Sequence, residues 1–192
     1  KTIVGKQKKS VLNILKTQSK KVDSPLFVFG EDWIISRDKE QIKFETNDIT
    51  NYYPLPNLIG NHQIENVGIA IASLKQLKIN EKAIASGILS TFWPARFQPL
   101  KKGSLIKKIK KGNQLSEIWL DGGHNEEAGK AVVKTLKELP PKRTFIIIGM
   151  LKTKNIKNYL KYFKNAKLEI TGIKIPEQQL CYDEVEIINE CK

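Results

Sequence analysis

From Ser116 to Thr171 short apolar runs alternate with longer stretches of helical periodicity, and this alternation limits the fold more than any other feature of the chain. Ser116 to Leu120, Thr144 to Gly149 and Leu168 to Thr171 read as strands, with helices over Glu126 to Leu139 and Ile156 to Phe163 between them. A β-α-β-α-β order implies a parallel sheet with right-handed crossovers. Within it, Ile118 to Leu120 suits a buried parallel strand. Ligands of such sheets gather beyond the carboxyl ends of the strands, so Asp121 to Asn125 and Gly149 to Asn155 are expected side by side.

The first half of the chain reads differently. Thr2 to Val4 is a strand and Val11 to Leu15 a short helical pattern. Leu26 to Gly30, Trp33 to Ser36 and Gln41 to Glu45 alternate like an antiparallel meander, joined by turn-prone Gly30-Glu31-Asp32 and Arg37-Asp38-Lys39. Tyr52 to Pro56 reads as an extended, proline-marked connection. Gly60 then precedes a helix with Val67, Ala70, Ile71, Leu74 and Leu77 on one face. A second helix follows, capped by Asn80, with Ile84, Ile88 and Phe92 on one side, and Trp93-Pro94 stops it. Two short lysine-rich segments between Gln98 and Gly112 read as a strand pair or a strand and turn. The change of character puts a domain boundary between residues 95 and 96, giving domains 1–95 and 96–192.

The 192 residues carry a formal charge of +13, which invites a nucleic-acid reading. Its distribution argues otherwise: arginine occurs only at Arg37, Arg96 and Arg143, and the rest is lysine spread along the chain, so solvated lysine faces are the preferred reading. A general attraction for anionic ligands follows from the same charge. No apolar run reaches membrane-spanning length and no signal-peptide pattern is present, so a cytoplasmic protein is expected, with no membrane partner. Cys181 and Cys191 lack metal-site spacing and read as ordinary thiols.

The densest chemistry lies at Trp119-Leu120-Asp121-Gly122-Gly123-His124-Asn125, where an apolar strand runs into an acid, two glycines, a histidine and an asparagine before a helix. The glycines allow a tight turn close to a ligand, Asn125 can cap the helix that Glu126 opens, and N–H groups at a helix start favour an anion. His124 reads equally as a phosphate contact or as a surface turn histidine. Asp121 can accept from ribose hydroxyls, orient His124, or act only as a second cap. His62 and Asn66 lie in Gly60-Asn61-His62-Gln63-Ile64-Glu65-Asn66, a polar helix start that by itself signals capping. Arg96 sits in Trp93-Pro94-Ala95-Arg96-Phe97, a stiff aromatic hinge, as a surface charge or as a fork that clamps phosphates. Lys154, in Gly149 to Asn155, is a solvated charge or an anion contact. No phosphate loop of the Gly-x-x-x-x-Gly-Lys-Ser/Thr kind and no nucleophile elbow occurs in the chain.

Taken in order, these clusters resemble the folylpolyglutamate synthase and dihydrofolate synthase family of the Mur ligase superfamily. Gly60 to Asn66 resembles its central helix motif, Trp93 to Gln98 its Trp-Pro-Gly-Arg-Phe-Glu, Leu120 to Asn125 its Leu-Asp-Gly-Ala-His-Asn, and Gly149 to Asn155 its Gly-Met-Leu-x-Asp-Lys-Asp. The resemblance implies an α/β fold: the C-terminal part of a Mur-ligase-like ATPase domain, with a β-rich segment and two helices, then a Rossmann-like parallel-sheet domain, incomplete. It implies an ATP-dependent ligase that adds L-glutamate to dihydropteroate, tetrahydrofolate or both through an acyl phosphate, with Mg2+ as cofactor and a monomeric full-length enzyme. It assigns Asn66 to the adenine, Arg96 to the phosphates, Asp121 to the nucleotide and His124 to the γ-phosphate or intermediate. His62, Asn125 and Lys154 are further contacts, and the nucleotide is expected in a cleft between the domains. Ala95, Gln98, Gly123 and Thr153 depart from the family's usual glycine, glutamate, alanine and aspartate. The family's phosphate loop, metal-binding residues, pterin-binding segment and modified lysine would precede Lys1, and a final strand would follow Lys192. The resemblance therefore implies truncation at both ends, an inactive chain and no metal ligand within it. A peptidoglycan Mur-type amino-acid ligase is the enzymatic alternative. A basic nucleic-acid-binding module is the alternative of another class.

Overall fold

The structure, a computed structural model, describes residues 1–110, 117–164, 166 and 168–191. The start of the strand expected at Ser116 lies outside them. The chain divides into two compact units, Lys1–Trp93 and Pro94–Lys192.

In the first unit β1 (Thr2–Val4) and β2 (Leu26–Val28) pair in parallel, with α1 (Lys9–Lys21) between them in sequence. This corrects the expected meander, which begins one strand later. Its members are β3 (Trp33–Asp38), β4 (Gln41–Thr46) and β5 (Thr50–Pro54), antiparallel in that order. The reason lies at Asp32, whose side chain accepts from the Val28 N–H at 2.7 Å. The resulting turn separates Leu26–Val28 from the strand that follows. The proline-marked connection is thus a strand, and its proline ends β5, where a missing N–H does least harm.

Alternation along β4 sends Ile42 and Phe44 inward, where they join Trp33, Tyr53, Ile71, Ala72, Ile84 and Ile88 in one core. Helix α2 (Asn61–Gln76) buries Gln63, Gly68, Ile71 and Ala72, while Ala70 and Leu77 are exposed, contrary to the face expected from spacing. Gly68 turns the helix toward the sheet: a Cβ there would come within 2.8 Å of Ile35 and 2.9 Å of Trp33. In α3 (Glu81–Ser90) the Asn80 cap is present, its Oδ1 accepting from the Ala83 N–H at 2.8 Å. Ile84 and Ile88 are buried, but Phe92 lies past the helix end and is exposed.

In the second unit β6 (Gln98–Pro99) runs antiparallel to β7 (Trp119–Leu120). The lysine-rich stretch after it is a helix, α4 (Ser104–Lys110), rather than strands. Lysine and leucine favour helix, and Gly103, at φ +122°, supplies the turn before it. Next come α5 (Glu126–Glu138), β8 (Phe145–Ile148), α6 (Ile156–Leu160), β9 (Glu169–Gly172) and α7 (Glu184–Cys191). Strands β8 and β9 pair in parallel, as expected of them. Among the described residues β7 pairs with β6 and not with β8, and Leu120 is half-exposed rather than buried.

The core of this unit joins Val133, Ile148, Met150, Ile156, Tyr159, Leu160, Phe163 and Ile187. Helix α5 approaches α6 at Gly129, where a Cβ would stand 2.2 Å from the Tyr159 carbonyl oxygen. No helix is long and apolar enough to cross a membrane among the described residues. Cys181 and Cys191 are free thiols.

Candidate functional site

Two stretches 24 residues apart meet in the second unit, and Asp121 is what joins them. Its Oδ2 accepts from the Phe97 N–H at 2.8 Å and its Oδ1 from the Gly123 N–H at 2.7 Å. A third link runs alongside, from the Gly122 N–H to the Ala95 carbonyl at 2.8 Å. The Gln98 Oε1 accepts from the Ala95 N–H at 3.0 Å and closes the segment on itself. A carboxylate accepting backbone N–H groups makes charge-assisted bonds, about twice as strong as neutral ones.

Those bonds hold a backbone that resists the conformation. Ala95 has φ +54° and Phe97 φ +43°, the left-handed region that costs a non-glycine residue about 1–2 kcal/mol. Phe97 is only 6% exposed and its ring lies 5.0 Å from that of Trp119. Burial and the aromatic contact thus offset part of the strain. Arg96, between the two, is exposed, and its side chain has no partner among the described residues. Such strain collects where a side chain must be aimed.

In the Asp-Gly-Gly-His-Asn turn neither Gly122 nor Gly123 has positive φ. Gly123 is required for room: a Cβ would come 2.6 Å from the Asp121 Oδ1 and 2.9 Å from the Ala128 Cβ. His124 is exposed at the entrance of α5, with Nδ1 3.0 Å from the Gly122 carbonyl oxygen. A carbonyl only accepts, so Nδ1 carries the proton in that contact. With that proton on Nδ1, Nε2 is an acceptor. Asn125 caps α5 by accepting from the Ala128 N–H at 2.9 Å. Asp121 does not bond His124 directly; it orients the turn through Gly123.

The two turns expected side by side are linked through α6, which Asn155 caps by accepting from the Asn158 N–H at 3.0 Å. Tyr159 on that helix sits near Asp121, and burial, with the Asp121 charge adding to it, pushes the phenol up to about 12. The Lys154 carbonyl accepts from the Tyr182 hydroxyl at 3.1 Å, while its exposed side chain has no partner among the described residues. Lys152, by contrast, is engaged by Glu186 at 2.7 Å.

In the first unit, His62 and Asn66 stand on the first turns of α2 and are tied by Gln63, itself 5% exposed. Asn66 donates through Nδ2 to the Gln63 Oε1 at 3.1 Å, and the Gln63 amide donates through Nε2 to the His62 Nε2 at 2.8 Å. The chain of donors fixes the amide orientation of Gln63. Sequence reasoning noted Gln63 and Gln98 only as parts of motifs, because a glutamine at a helix start or in a linker does not announce which groups it will bond. Among the described residues no three His, Cys, Asp or Glu side chains cluster to hold a metal.

No family model matches the chain. A dihydrofolate synthase/folylpolyglutamate synthase of Bacillus subtilis is 25% identical over 163 residues, 79% of this chain and 35% of that protein. A probable bifunctional folylpolyglutamate synthase/dihydropteroate synthase of Halobacterium salinarum is 27% identical over 134 residues, 69% of this chain and 13% of that protein. The chain resembles folylpolyglutamate and dihydrofolate synthases. Its α/β fold matches that of E. coli FolC, solved with ADP, at a TM-score of 0.76 and 23% identity, covering 92% of this chain and 40% of that one. The chain thus spans about a third of the Bacillus protein and less of the Halobacterium one. Against the usual pattern of folylpolyglutamate synthases, the Ala95 departure falls on a left-handed φ, where glycine costs nothing. The Gly123 departure falls where an added methyl would press on Asp121.

Proposed function

We propose that this chain serves in an ATP-dependent amide ligase that adds L-glutamate to dihydropteroate, tetrahydrofolate or both. The observation that carries the reading is the junction of the Arg96 segment with the Asp121-to-Asn125 turn in one unit. It brings an exposed arginine with no partner among the described residues and an exposed histidine onto neighbouring stretches of backbone. The Bacillus and Halobacterium relatives carry the folylpolyglutamate synthase name and FolC was solved with ADP, which supports a nucleotide at such residues.

In the proposed reaction the γ-phosphoryl of ATP passes to the acceptor carboxylate, giving an acyl phosphate and ADP. The glutamate amine attacks the acyl carbon, the C–N bond forms and inorganic phosphate leaves with the acyl C–O electron pair. Arg96 offsets the phosphate charge, and His124 presents Nε2 to the phosphoryl oxygens or to the intermediate. Asn66, held by Gln63, supplies amide groups suited to the adenine edge, with His62 behind it. In the second unit Asp121 belongs with Arg96 and His124, and Asn125 and Lys154 are further contacts.

The test replaces the matching stretch of the Bacillus subtilis enzyme with this chain and follows ATP-dependent glutamate addition to dihydropteroate and to tetrahydrofolate by product mass. Product with either acceptor is expected. A chimera that melts cooperatively yet makes no product with either would sink the reading.

A further inference from the structure

The Gly149-to-Asn155 loop carries two lysines, Lys152 and Lys154, and no acid, so nothing within it opposes their charge. The opposing groups come from the stretch between residues 180 and 186. There the Tyr182 N–H donates to the Met150 carbonyl and the Lys152 N–H to the Leu180 carbonyl, both at 2.9 Å, and Leu151 pairs with Cys181 in an antiparallel bridge. Two side chains complete the junction. The Tyr182 hydroxyl donates to the Lys154 carbonyl at 3.1 Å, and the Lys152 ammonium stands 2.7 Å from the Glu186 Oε1 and 5.9 Å from the centre of the Tyr182 ring.

Glu186 is fixed in its turn. Its Oε2 accepts from the Asp183 N–H at 2.9 Å and its N–H donates to the Asp183 Oδ1 at 2.7 Å, the reciprocal pattern of a capping box at the start of α7. Cys181 and Ile187, both buried, root the stretch at its two ends. At Lys154 both backbone groups are bonded, the N–H to the Leu151 carbonyl at 3.0 Å and the carbonyl to Tyr182, and the next residue, Asn155, caps α6. Only its side chain is exposed and without a partner among the described residues. A lysine whose backbone is already held loses less entropy on binding than one on a mobile loop.

We propose that Tyr182 and Glu186 are positioning residues: they hold the Gly149-to-Asn155 loop so that Lys154 meets an oxyanion of the substrates, a nucleotide phosphate or the glutamate carboxylate. The inference rests on the ligase reading above and goes beyond it by giving roles to two residues outside the motifs. Tyr182→Phe keeps the ring and frees the Lys154 carbonyl. Glu186→Gln keeps an oxygen for the Asp183 N–H and removes the charge facing Lys152. Each change weakens oxyanion binding only while Lys154 is present.

The experiment uses the whole 192-residue chain. Amide exchange, and titrations with ADP and separately with L-glutamate, are followed by NMR for the wild type, Tyr182→Phe, Glu186→Gln, Lys154→Gln and the two doubles with Lys154→Gln. In the wild type the Lys152, Lys154 and Tyr182 amides should be protected. Tyr182→Phe and Glu186→Gln should each speed exchange at Lys154 and leave β8 and β9 protected. Lys154→Gln should weaken one of the two ligands about tenfold, the scale of one charge-assisted hydrogen bond, and the ligand affected tells phosphate from carboxylate. Tyr182→Phe and Glu186→Gln should each weaken the same ligand, and each double should bind no more weakly than Lys154→Gln alone. Losses that add in the doubles, or that come with deprotection of β8 and β9, would overturn the proposal. A Lys154 amide that exchanges freely in the wild type would overturn it and leave the ligase reading standing. A wild type with protected amides and no response to either ligand would instead remove the ligase reading, and the inference with it.

Discussion

Ala95 concentrates the residue-scale physics of this protein. Its φ of +54° is reached at a cost that glycine does not bear, and its carbonyl and N–H are both bonded within the second unit. Ala95→Gly should therefore stabilise the folded chain by about 1 kcal/mol, provided the bonds outweigh the added freedom of the unfolded chain. A thermal melt should rise by roughly 2–4 °C; an unchanged or lower midpoint would mean the segment is not held left-handed. At this scale the sequence pointed to candidate residues without showing how they are held. Arg96, Asp121 and His124 stood out by residue type and spacing. The strain around Arg96 and the double use of the Asp121 carboxylate did not, because backbone conformation at alanine and phenylalanine leaves no compositional trace.

Elements were legible where periodicity was long and illegible where tertiary pairing decided. Helix α5 and strands β8 and β9 follow the sequence pattern closely. The pairing of Leu26–Val28 with Thr2–Val4 and the antiparallel β6–β7 pair were set by partners distant in sequence, and the strand at Thr50–Pro54 by its hairpin with β4. Two predictions belong here. Gly129→Ala places a methyl 2.2 Å from the Tyr159 carbonyl oxygen, so α5 must move away from α6. A loss of about 3 kcal/mol or more is expected in denaturant unfolding, and a loss under 1 kcal/mol would show that the helices are not so close.

The second concerns Glu81, which opens α3 and accepts from Tyr53 and, at 2.5 Å, from Lys75. Burial pushes its carboxyl up, but the bonds from Lys75 and Tyr53 outweigh this and hold it below the usual 4.5. A depressed carboxylate stabilises the fold above its unfolded pKa and ceases to as pH falls through the folded one. Glu81→Gln should thus be less stable than wild type near neutrality, with the gap closing below about pH 4. A gap that stays constant from pH 7 to pH 3 would contradict the assignment.

At the scale of the whole molecule, a charge of +13 spread over lysines draws anions without selecting among them. Under the proposed function, selection would fall to the second unit, where Asp121 ties an arginine-bearing segment to a histidine-bearing turn, and to the first, where Gln63 bonds His62 and Asn66. The ordered motifs made this division legible from the sequence, because each unit contributes its own polar cluster. What the sequence did not show was which groups the glutamines Gln63 and Gln98 bond. The measurement that tests the account most directly is turnover of the chimeric ligase with His124→Ala or Arg96→Gln, set beside the thermal melt of each. His124 is exposed, so its removal should leave the melt unchanged and lower kcat about a hundredfold, with a comparable loss for Arg96→Gln. Full turnover in both variants, at an unchanged melt, would contradict the claim that these residues face the reacting phosphates.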